Sequence, residues 1–120
     1  MAKTHGRHTM AFLLLFLAEA PAYGAALLTR LQAELPHCFS DSAIVYRTLQ
    51  EMEKNGLVET DWEMPESGQP RKWYRITAKG KEALQKEAED IRRRLENFEF
   101  FLARLQVLKL NSKDTNANTS

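Results

Sequence analysis

A chain of 120 residues, 43% of them hydrophobic, is long enough for one small domain with a modest core. Its single cysteine, Cys38, excludes an intrachain disulfide and fits a reducing compartment. A formal net charge of +1 speaks by itself against a nucleic-acid partner, but the order of the charges says otherwise. From Glu51 to Glu66 six acids stand against Lys54, a balance of −5. From Ser67 to Lys81 there is no acid, and Arg71, Lys72, Arg75, Lys79 and Lys81 give +5. Read along the chain, this is a separated field that offers one basic surface to a partner, with a merely solvated charged face as the alternative.

The run from Arg7 to Ala18 is nearly all apolar and predicts a helix buried on most sides. With Lys3 and Arg7 before it and Glu19-Ala20-Pro21 after it, the same run has the outline of a secretion signal. It is too short to cross a bilayer. Its removal would strip a small domain of its richest apolar segment, so the chain is read as cytoplasmic, with no membrane partner. Pro21 breaks this helix. A second one is expected from near Ala22, with Leu27, Leu28, Leu31 and Leu35 at helical spacing, and Pro36 ends it by forcing its predecessor out of helical geometry. Ser40, Asp41 or Ser42 then caps a third helix that runs to about Asn55, where Asn55-Gly56 supplies a left-handed stop. Its inner face is Val45, Leu49 and Met52; its outer face is Ala43, Arg47, Gln50 and Lys54, with Tyr46 on the flank.

The period then changes to two. Val58, Thr60, Trp62 and Met64 alternate with Leu57, Glu59, Asp61 and Glu63, which predicts a strand with one face buried. A Pro- and Gly-containing loop over 65–70 leads to a returning strand, Arg71 to Thr77. Thr77 caps a long helix that is expected to reach about Leu110. Within it Leu84, Ile91, Phe98 and Leu105 repeat every seven residues, with Ala88, Leu95 and Leu102 between them, the spacing of a coiled-coil seam. The expected fold is therefore mainly α with a small β-hairpin (α+β): a winged helix-turn-helix over 1–77, a dimerisation helix over 78–110 and a disordered tail over 111–120.

In such an arrangement the third helix enters the major groove and the hairpin straddles the backbone of double-stranded DNA. Arg71 and Lys72, with no acid near them in sequence, are the expected phosphate contacts. Ser42, Arg47 and Gln50 are the expected base readers, since Arg and Gln carry the fork geometry that guanine and adenine edges require. The seam residues Leu84, Ile91, Leu95, Phe98, Leu102 and Leu105 are the expected interface with a second copy of the chain, packing onto the chain's own domain being the alternative. Phe98, Phe100 and Phe101 leave a pocket for a hydrophobic or aromatic small-molecule effector open, core packing being the default. His5, His8, His37 and Cys38 lack metal-ligand spacing, no cofactor motif is present, and no nucleophile, base or phosphate loop marks an enzyme. The rival reading is a winged-helix protein-interaction module that does not bind DNA.

Three stretches carry a family resemblance: Pro21-Ala22-Tyr23-Gly24; Val45-Tyr46-Arg47-Thr48-Leu49 with Glu53 to Val58; and, most specific, Gln69-Pro70-Arg71-Lys72-Trp73-Tyr74-Arg75-Ile76-Thr77-Ala78-Lys79-Gly80. Over roughly Met10 to Leu110 the chain resembles the PadR family of winged-helix transcriptional regulators. The resemblance implies a dimeric repressor whose C-terminal helix is the dimer arm, and it implies that Tyr46, Arg71 and Lys72 touch the DNA backbone. Ala43 and Ile44 depart from the glycine and threonine usual in the family, and Ala25 from a tyrosine. The first two open the presumed reading helix, so base preference is expected to differ. Ile44, being β-branched and apolar, is expected to point inward.

Overall fold

The computed structural model describes residues 8–38 and 40–119, with side chains described as far as Asn111. The expected helix start at Arg7, the residues Lys3 and His5, and Phe39 lie outside this range. The chain divides into two compact units, residues 1–86 and 87–120.

In the first unit, α1 (Thr9–Glu19) buries Leu13, Leu14, Phe16 and Leu17 and leaves Leu15 and Ala18 exposed, so the core closes around most but not all of it. After Pro21 the chain enters not a helix but a two-residue strand, β1 (Ala22–Tyr23). It pairs antiparallel with the returning strand of the hairpin, Ala22 opposite Tyr74 and Tyr23 opposite Trp73. The sheet is therefore three-stranded, in the order β1-β3-β2. Two residues are too few to show an alternating pattern, which is why this strand is hidden in the sequence. The helix α2 (Gly24–Glu34) follows at once, with Leu27 and Leu31 buried, and ends at an extended Leu35 before Pro36. Arg30 holds it to α1: its guanidinium lies 2.7 Å from both Glu19 and Glu34 and 4.0 Å from the centre of the Phe16 ring.

The helix α3 (Ser42–Lys54) is capped by Asp41, whose Oδ1 accepts from the Ile44 amide at 2.9 Å. Val45, Leu49 and Met52 are fully buried, as their spacing predicts, and Gly56 at φ 77° provides the left-handed stop. The hairpin is β2 (Val58–Glu63) and β3 (Arg71–Ile76), paired from Val58 opposite Ile76 to Glu63 opposite Arg71. Its expected buried face is shorter than the alternation suggests. Val58 is buried and Thr60 half-buried, but Trp62 is 62% exposed and Met64 71% exposed, because the outer end of the hairpin runs beyond the helices that form the core.

The helix α4 (Ala78–Thr119) starts as expected, with Thr77 Oγ1 accepting from the Gly80 amide at 3.0 Å. A Cβ on Gly80 would collide with the Leu57 carbonyl, so glycine is what lets this helix begin against the sheet. Ala83 and Leu84 pack against the core, and the opening turns of α4 belong to the first unit. The helix continues to Thr119 rather than ending near Leu110. In the second unit Leu95, Phe98, Phe101 and Leu102 are exposed, while Ile91 and Leu105 are partly covered. Among the described residues no helix is long and apolar enough to cross a membrane.

Candidate nucleic-acid interface

Because Val45, Leu49 and Met52 turn one face of α3 into the core, the helical period turns Ser42, Ala43, Tyr46, Arg47 and Gln50 outward, and all five are exposed. Ile44 is half-buried between the two faces. Helices α2 and α3 pack on each other as a helix-turn-helix. The ring of Tyr46 lies over Gly24, the first residue of α2, which is what gives Pro21-Ala22-Tyr23-Gly24 its local meaning.

Between α3 and the wing runs an open groove of about 530 Å³. Tyr46 and Gln50 line it from α3, Tyr23 from β1, Gly24 from the start of α2, Trp62 from β2, and Arg71, Lys72 and Tyr74 from β3. Four of the six residues singled out in sequence thus meet in one place: Tyr46, Gln50, Arg71 and Lys72. Ser42 and Arg47 are exposed on α3 but do not line the groove. The seam residues from Ile91 to Leu105 lie in the second unit, and Leu84 packs on the core of the first.

The charges are arranged differently from the expectation. The hairpin folds the acidic stretch directly onto the basic one, so the two fields that are separate in sequence interleave in space. Glu59 stands opposite Arg75 and Glu63 opposite Arg71. Arg75 pairs with Asp61 at 2.6 Å and Glu59 at 3.6 Å, and these pairings raise its already high pKa. Lys72 Nζ donates to Glu53 Oε1 at 2.8 Å, and Thr60 Oγ1 donates to the other oxygen, Oε2, at 2.9 Å. These two hydrogen bonds, the lysine's first, hold the Glu53 carboxyl below the usual range, and the carboxylate in turn pushes Lys72 up. The premise that no acid neutralises the wing pair is therefore overturned for Lys72. Arg71 is exposed, with its guanidinium 5.0 Å from the centre of the Tyr23 ring.

Sequence reasoning misses three participants. Alternation assigns Trp62 to the core, yet its place close to the loop puts it at the groove's rim. Tyr23, expected in a helix, instead meets Trp73 edge-on at 5.3 Å and lies beneath Arg71. Glu53 counts in the sequence as one acid among several and as the start of a resembling stretch, and no local signal shows that it reaches across to Lys72.

Comparison with known proteins agrees with this geometry. The profile of the Transcriptional regulator PadR-like family matches residues 13–86. No curated protein matches. A PadR family transcription regulator from hypervirulent Clostridium difficile is similar with TM-score 0.68 and 22% identity, over 79% of this chain and 98% of that one. A PadR family transcriptional regulator from Eggerthella lenta is similar with TM-score 0.63 and 26% identity, over 75% of this chain and 80% of its own. Bacillus subtilis PadR, solved in complex with operator DNA, has TM-score 0.63 and 18% identity, over 68% of this chain and 47% of its own length. With its helix-turn-helix, its wing and a profile match over more than half its length, the chain belongs to the PadR-like family of transcriptional regulators.

Proposed function

We propose that this protein binds double-stranded DNA in a sequence-specific manner as a cytoplasmic homodimer and represses transcription from a pseudo-palindromic operator. The observation that carries the reading is the exposed face of α3 beside the groove: Arg47 and Gln50, two side chains able to make bidentate base contacts, project from a helix flanked by a wing. Ser42 and Tyr46 extend that face, and Arg71 is the wing's cation for backbone phosphate. That Bacillus subtilis PadR, of the same fold, was solved on operator DNA supports the assignment.

The dimer arm is α4. Leu84 is already engaged with its own core, so the face available to a second copy is Ile91, Leu95, Phe98, Leu102 and Leu105. Two reading helices in such a dimer would lie about 34 Å apart, one turn of DNA. A hydrophobic or aromatic effector at Phe98, Phe100 and Phe101 would act by changing the angle of the arms. A ligand panel that leaves operator affinity unchanged speaks against it.

The test is selection of bound fragments from the source genome, followed by binding of the winner across a salt series. A pseudo-palindromic winner with steep salt dependence supports the reading. A second reading, an adaptor that binds protein instead, is favoured by the neutralised wing cations Lys72 and Arg75. It predicts that no fragment is retained and that Arg71→Ala leaves partner binding intact.

A further inference from the structure

Lys72 lines the groove, but its charge is already paired. Its ammonium lies 2.8 Å from Glu53 Oε1, 5.6 Å from the centre of the Tyr74 ring and 6.0 Å from that of Trp62. A carboxylate thus pairs the charge and two ring faces stand near it, and the side chain is 29% exposed. A phosphate drawn to Lys72 would also meet the negative charge of Glu53. Glu53 has both oxygens engaged, one by Lys72 and the other by Thr60. It stands in the last turn of α3, Thr60 on β2 and Lys72 on β3, so one carboxylate ties the reading helix to both strands of the wing.

We propose that Glu53 and Lys72 are positioning residues: the pair fixes the wing against the reading helix, and its lysine does not bind DNA phosphate. This rests on the DNA-binding reading above and refines it, for it leaves Arg71 as the wing's ionic contact and makes the angle between wing and α3 a determinant of specificity. Base readout requires side chains held to within a fraction of an ångström, and a loose support shell loses discrimination before it loses charge-driven affinity.

The experiment is binding of the full chain to the genome-selected fragment and to an unrelated fragment of equal length, across a salt series. Wild type is compared with Arg71→Met, Lys72→Met, Lys72→Arg and the reversed pair Glu53→Lys/Lys72→Glu, and the thermal unfolding of each is recorded. Arg71→Met should flatten the slope of log K against log salt by about 0.9 for each phosphate that is no longer neutralised. Lys72→Met should keep the wild-type slope but narrow the affinity ratio between the two fragments. The reversed pair should recover that ratio although residue 72 is then acidic, and Lys72→Arg, which keeps the pair, should match wild type. A purely structural role would shift the melting temperature and leave the ratio alone, which overturns the proposal. So does a slope for Lys72→Met that flattens as Arg71→Met does, or a reversed pair that binds worse than Lys72→Met. Wild-type protein that retains neither fragment overturns the DNA-binding reading itself, and this assignment with it, before any substitution is compared.

Discussion

The ring of Tyr46 occupies the space that a side chain on residue 24 would need: a Cβ built on Gly24 would stand 2.6 Å from Tyr46 Cε1. The approach joins the first residue of α2 to the outer face of α3, so it sets how the two helices of the helix-turn-helix meet. Gly24→Ala should therefore push the exposed Tyr46 ring aside and destabilise the fold by about 1 kcal/mol, the low end of the range for overpacking. The double variant with Tyr46→Ala should recover most of that loss, because the obstructing ring is gone. Urea unfolding of the two single variants and the double variant measures the coupling; additive losses would show that Tyr46 is not what Gly24 makes room for.

The interleaved charges of the hairpin separate its two arginines. Arg75 is committed to Asp61 and Glu59, whereas Arg71 rests on a ring face. Arg75→Met should leave the salt dependence of DNA binding at its wild-type value, while Arg71→Met reduces it. Equal reductions would mean that Arg75 abandons its carboxylates for phosphate on binding.

Glu53 gives the fold an acid-sensitive component. Its folded-state pKa is depressed by the hydrogen bonds from Lys72 and Thr60, so its contribution to stability is present above the ordinary glutamate value of about 4.3 and is lost as pH falls through the lower folded value. Lys72, raised by the same pair, contributes below the ordinary lysine value and loses its share as pH rises through the higher folded one. Thermal unfolding of wild type and Glu53→Gln should differ near neutrality and converge in acid. A difference that persists unchanged in strong acid would place the effect of the substitution elsewhere.

Thr77 holds two ends at once, accepting from the Gly80 amide and donating to the Gly56 carbonyl at 2.7 Å. Thr77→Ala removes both bonds and should cost about 1–2 kcal/mol, as loss of an N-cap does. Thr77→Ser, which keeps the hydroxyl, should restore most of it. Equal melting temperatures for the alanine and serine variants would deny the hydroxyl this role.

On the arm, Leu102→Asp should turn a dimer into a monomer while leaving the winged unit folded, because Leu102 is exposed in the single chain and a carboxylate there is costly only against a second apolar helix. Sedimentation across a concentration series reads the outcome. A wild-type chain that is already monomeric would remove the homodimer from the proposed function.

What is legible in the sequence is what is local. A cap among Ser40, Asp41 and Ser42, the Gly56 stop, the Thr77 cap and the four-three spacing of Val45, Leu49 and Met52 each depend on neighbours within a turn or two; that Asp41 is the one that caps is settled by the structure. The inner and outer faces of α3 follow from that spacing, and with them Ser42, Tyr46, Arg47 and Gln50 as exposed residues. Strand β1 is hidden because Ala22 and Tyr23 are strand only by virtue of Tyr74 and Trp73, far along the chain. The same non-locality misleads the charge reading: a run without acids is basic only until the register sets Glu59 and Glu63 across from it, and until Glu53 arrives from α3. Trp62 keeps the face that alternation gives it, but where the core ends along that face is decided by the helices, not by the strand.

The turn after α3 is shared property. The Leu57 amide bonds back to the Met52 carbonyl at 2.9 Å, the Thr77 amide bonds to the Leu57 carbonyl at 3.0 Å, and the Lys81 amide bonds to the Thr77 carbonyl at 2.9 Å. With Gly80 leaving no slack against Leu57, these bonds form a short mechanical linkage from the last turn of α3 to the first turn of α4. The root of α4 cannot be rotated without either breaking a link or carrying the end of α3 with it, so a torque applied at that root reaches α3 through the backbone alone.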